Sequence, residues 1–219
     1  MTTLPEVWLR GPLPEYPPLL LPVAHALLQA REDIDRLATS VPPAQAWLKP
    51  GGAASIGFHI LHVGGSVDRL CTYARGEMLD EAQLRFLKAE SSAEESGASL
   101  AETAAQAVGT IDRALDQLRR TPASSLLEPR AVGRGKLPST VIGLLVHVAE
   151  HTTRHVGQAI TTATILGARD SGLGPRDSGL GTRGSGLGTR DSGTRGLGDS
   201  GLGDSGGFWV QGRPEPLSP

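Results

Sequence analysis

One cysteine, Cys71, stands in 219 residues, which excludes an intramolecular disulfide and leaves no multi-cysteine zinc site. Aromatic residues are scarce, at 4%, and no stretch approaches the roughly 18 consecutive apolar residues of a membrane-spanning helix. Neither sign of charge dominates. Lys and Arg number 21 against 23 Asp and Glu, for a net charge of −2, without a block of either sign, so neither a nucleic-acid partner nor a membrane surface is expected. The apolar run 19–30, LLLPVAHALLQA, has no basic segment before it and leads into Arg31, Glu32 and Asp33, unlike a secretory signal. A reducing cytoplasm is the expected compartment.

Glycine, by contrast, is plentiful, at 29 residues, and 16 of these fall between Gly167 and Gly212. There the chain repeats RDSGLGP, RDSGLGT and RGSGLGT, then degenerate copies down to Gly207. One leucine per seven-residue unit cannot build a buried seam, and the unit lacks the aspartate and glycine positions of a calcium-binding β-roll. Residues 167–219 are therefore expected to be a disordered low-complexity tail, whose Phe208, Trp209 and Val210 are a small apolar patch. Residues 1–17 carry four prolines and predict an irregular lead-in, with Trp8 folding back onto the body of the protein. What remains, 18–166, is ample for one core.

Within that span the periodicity is helical. Leu19, Val23, Leu27, Ile34 and Leu37 mark a first helix over 18–40, and His25 on it is expected to be a surface or packing histidine. After a loop rich in proline and glycine, with Trp47 as an apolar plug, Ser55 caps a second helix running to Gly76, with the seam Ile56, Ile60, Val63, Val67, Leu70 and Ala74. Gly64 and Gly65 in its middle cost about 1 kcal/mol each relative to alanine, which implies close packing or room kept open near a site. Asp80 and Gln83 make a capping box for a short helix to Ala89, and 90–97 is expected to be a polar surface linker. The third long helix, 99–120, has the regular repeat Leu100, Ala104, Val108, Ile111, Leu115 and Leu118. The following loop, 122–137, carries Arg130, Arg134 and Lys136 and is expected to be solvated.

The last helix, 138–166, carries the chemistry. A seam taken at steps of three and four gives Val141, Leu144, Val148, His151, His155, Gln158, Thr162 and Ile165, so imidazoles replace aliphatic side chains halfway along. Residues four apart share a helix face, which lets His151 and His155, or His147 and His151, direct their rings at one atom. Buried without partners, each would cost roughly 1–3 kcal/mol. His151 is followed by Thr152 and His147 by Val148, without the glutamate of a zinc-peptidase helix. His59 and His62 stand beside the seam of the second helix, on the row Ser55, His59, His62, Ser66 and Arg69. Either can supply a third ligand. Glu150 and Arg154 project off the seam.

An all-α, four-helix arrangement with SIGFHILH at 55–62 and HVAEHTTRHVGQ at 147–158 resembles the DinB/YfiT-like superfamily of metal-binding helical bundles over residues 18–166. The resemblance implies that the HVGQ ending places the pair at His151 and His155, and that His62 is the second-helix ligand, with His59 in reserve and His147 beside the pair. It further implies zinc or nickel on three imidazoles with open positions, and a homodimer, which the repeat of the third long helix also suggests. The family's bacillithiol transferases and mycothiol-dependent maleylpyruvate isomerase suggest a small-molecule substrate and a low-molecular-weight thiol, with hydrolysis less favoured. Two other expectations compete with an enzyme: a metal-binding or stress-response bundle without turnover, and a bundle whose histidines satisfy one another.

Overall fold

The computed structural model describes residues 4–167. The expected tail from residue 168 onward, with its Phe208–Val210 patch, lies outside the described residues. Four long helices form a bundle: α1 Leu21–Ser40, α2 Ile56–Ala74, α4 Leu100–Arg120 and α5 Val141–Ile165, with a short α3, Glu81–Ala89, on its flank. α1 packs on α4 and α5, and α2 on the same two, so α1 lies diagonally across from α2, and α4 from α5. Leu27, Ile34, Leu37, Ile56, Ile60, Ile111 and Leu145 at the centre are fully buried, each contributing about 1.5–3 kcal/mol of hydrophobic stabilisation.

The helix starts follow their capping residues. Ser55 accepts from the Phe58 amide at 3.1 Å, and reciprocal capping boxes open α3 at Asp80 with Gln83 and α4 at Ser99 with Glu102. α2 and α4 approach closely at Gly64, where a Cβ would sit 3.2 Å from the Ala107 Cα. The apolar repeat of α4 is taken up by the protein's own core, so it lends the expected homodimer no support.

Five expectations are corrected. Trp8 faces solvent, its Nε1 donating to Glu6, and Val7 and Tyr16 are buried in its place. Residues 129–140 form an antiparallel hairpin, β1 Pro129–Val132 with β2 Leu137–Thr140, turned through Gly133 and Lys136 at positive φ. The last helix accordingly begins at Val141 rather than at residue 138, where Thr140 caps it by accepting from the Gly143 amide. Arg130 of the basic loop is half-buried and donates from Nε to the Ala74 carbonyl, satisfying the last turn of α2. Finally, the buried stripe of α5 drifts away from the seam expected at a 3.5-residue period. Val156, Ala159 and Ala163 are buried while Gln158 and Ile165 are exposed, because a 3.6-residue helix slips by about 20° per heptad.

Candidate metal centre

α2 and α5 pack along one another and cross-link in opposite directions, His59 against His155 and His62 against His151, so they are antiparallel. His62 Nε2 lies 3.0 Å from His151 Nε2. The rings of His62 and His155, and of His151 and His155, have centroids 4.5 Å apart. One nitrogen from each of His62, His151 and His155 falls within 4.8 Å of the other two. Imidazole nitrogens bound tetrahedrally to one ion at about 2.0–2.1 Å stand about 3.3 Å from one another, close to the separation of the first pair.

His59 and His147 hold other positions. His59 is buried, and its Nδ1 meets His155 Nδ1 at 3.0 Å. The His147 ring is 5.4 Å from that of His151, with its Nδ1 3.0 Å from Glu150 Oε2. Arg154 is mostly exposed and pairs with Glu150, so both lie off the cluster as expected. His25 is on α1.

Burial sets the protonation of the cluster. Removal from water lowers His151 from 6.5 to about 4, His155 to about 3 and His59 to about 4, with neighbouring histidines adding to the effect. These rings are neutral near pH 7, the form that donates a lone pair to a metal. His151 meets His62 through Nε2, while its Nδ1 is buried without a hydrogen-bond partner among the described residues. Three imidazoles facing one point, with His151 and His155 held neutral by burial, therefore fit a divalent cation. Phe58 lies parallel to His62, at 9°, with ring centroids 5.7 Å apart.

A fourth participant was not anticipated. The 90–97 segment is not a surface linker throughout: Glu90 is 4% exposed, and its Oε2 meets His62 Nδ1 at 2.7 Å. Its Oε1 accepts from Arg69 Nη1 at 2.5 Å. α3 delivers Glu90, since Gln83 Nε2 anchors that helix to α2 through Asp68 and Thr72. The signals in the sequence were Arg69, a full charge at the end of the buried polar row of α2, and Gly65. A Cβ on Gly65 would lie 2.2 Å from Glu90 Oε1.

No helix among the described residues is long and apolar enough to cross a membrane. No curated protein matches the chain. The DinB superfamily matches it over residues 26–159, a span that takes in α2, α4, the hairpin and all three clustered histidines. With its all-helical bundle and its histidine cluster between α2 and α5, the chain belongs to the DinB superfamily.

Proposed function

We propose that His62, His151 and His155 hold one divalent ion, zinc or nickel, and that the protein acts there on a small-molecule substrate together with a low-molecular-weight thiol, by transfer or isomerisation. The observation that carries this reading is the donor set: three imidazoles from two helices, with no carboxylate or thiolate among them. Three protein ligands are the pattern of a site that keeps a position for a small molecule, whereas closed structural sites use four. A bound divalent ion would supply Lewis acidity and a lowered pKa to a thiol or water that reaches it.

The chain's own residues do the rest. Neutral ligands leave the ion's charge uncancelled, and the Glu90 carboxylate is balanced by the Arg69 guanidinium, so the centre favours an anionic donor such as a thiolate. Burial keeps His151 and His155 unprotonated in the range where a thiol ionises.

The test is a zinc or nickel titration followed by assay of an electrophile with a low-molecular-weight thiol. The reading expects stoichiometric binding, and product formation that needs both metal and thiol. Binding without turnover for any thiol would leave a metal-binding bundle protein in its place.

A further inference from the structure

We propose that Glu90 is a positioning residue for this centre, its buried carboxylate fixing the tautomer and orientation of His62 so that the Nε2 lone pair faces His151 and His155. The proposal rests on the metal-site reading above and adds a residue from outside the two ligand-bearing helices. A carboxylate that pairs with a guanidinium accepts hydrogen bonds only. Since Glu90 Oε2 is 2.7 Å from His62 Nδ1, the ring places its proton on Nδ1, and a neutral imidazole then has its free lone pair on Nε2. That is the nitrogen 3.0 Å from His151 Nε2. A hydrogen bond of this kind also makes the ring a stronger donor to a metal.

The surroundings of Glu90 are built for this contact. The side chain is 6% exposed and pairs with Arg69, itself 11% exposed. Two opposite charges so far from water cost several kcal/mol of desolvation each unless they are paired and fully hydrogen-bonded. A contact of no consequence would not be expected to retain them. Space for the carboxylate depends on Gly65, where a Cβ would fall 2.2 Å from Glu90 Oε1, 2.6 Å from Phe86 Cε1 and 2.7 Å from Arg69 Nη1. One glycine, one arginine and one glutamate thus converge at the Nδ1 side of His62.

Glu90→Gln tests the idea, because an amide oxygen cannot serve His62 and Arg69 as the two carboxylate oxygens do. Zinc affinity, measured by competition with a chromogenic chelator, should fall by about 10–100-fold. Gly65→Ala, which displaces Glu90 without changing any charge, should weaken binding in the same direction. If Glu90→Gln fails to fold with Arg69 left unpaired, the double variant Arg69→Met with Glu90→Gln removes both charges together and carries the same expectation. Nitrogen-15 chemical shifts of the metal-free parent give the second readout: His62 should be a single Nδ1–H tautomer, and should become a mixture in Glu90→Gln while His25 is unchanged. Parent-like affinity in a folded variant, or an Nε2–H tautomer for His62 in the parent, would overturn the proposal. If the parent binds no metal the site reading fails instead, and the tautomer measurement still decides the hold of Glu90 on His62.

Discussion

α4 and α5 are both long helices with buried polar residues, and they satisfy those residues in different ways. On α4 the buried Thr103 and Thr110 donate to carbonyls one turn back, Ser99 and Gln106, so the helix meets its own needs. On α5 the buried His151 Nδ1 and Thr152 Oγ1 have no partner among the described residues, and His151 and His155 meet their hydrogen-bonding neighbours, His62 and His59, across on α2. A polar group that its own helix satisfies belongs to the fold. Three imidazoles from two helices that face one another, as His62, His151 and His155 do, make a place where an ion can bind.

The sharpest way to break this comparison is to remove a residue from each helix. His151→Ala or His155→Ala should abolish stoichiometric zinc binding while the helical circular dichroism is retained. Ile111→Ala, at a fully buried position of α4, should lower stability by about 2–5 kcal/mol in urea unfolding and leave metal stoichiometry intact. If both kinds of variant lose metal equally, the two helices do not differ in role.

A second, smaller effect is expected from pH. His59, His151 and His155 titrate in the folded protein at about 4, about 4 and about 3, below their ordinary 6.5. Between those values the unfolded chain binds more protons than the folded one, so the metal-free protein should lose stability as pH falls from 6.5 toward about 4. Thermal melts of the parent should follow that slope. Replacing the three histidines by leucine should flatten it, and an unchanged slope would place the titrating groups elsewhere.

Smaller still is Gly64→Ala, which probes α4 from the α2 side. Its Cβ would meet the Ala107 Cα at 3.2 Å, a backbone atom that cannot swing aside, so overpacking of about 1–3 kcal/mol should exceed the gain of at most about 1 kcal/mol in helix propensity. A melting temperature above that of the parent would show that the helices can separate without cost. The smallest effects on metal binding are expected from His147→Ala and His25→Ala, whose zinc affinities should stay close to the parent's in the same titration.

Much of this was legible in the sequence, because helix periodicity, caps and the i, i+4 spacing of histidines are local properties. Ser55, Asp80 with Gln83, and Ser99 stand at the helix starts where their capping chemistry puts them. His151 and His155 could be paired because they share a helix face, and His59 or His62 beside the seam of α2 offered a third ligand, the resemblance favouring His62. The hairpin at 129–140 was not legible, since two four-residue strands around Gly133 and Lys136 look the same as a loop. Glu90 was hidden for a different reason. It sits in a polar run, ESSAEES, that matches any solvated linker, and its burial depends on Gly65 and Arg69, more than twenty residues away along the chain. The relation between them is tertiary, and no local pattern encodes it.

The most direct test of the central claim is the divalent metal content, by elemental analysis, of protein purified without a polyhistidine tag, alongside the His62→Ala, His151→Ala and His155→Ala variants. The account predicts one zinc or nickel ion per chain in the parent and none retained by any of the three variants. Equal metal content in the parent and all three, or a parent that takes up no ion even after zinc is supplied, would contradict it.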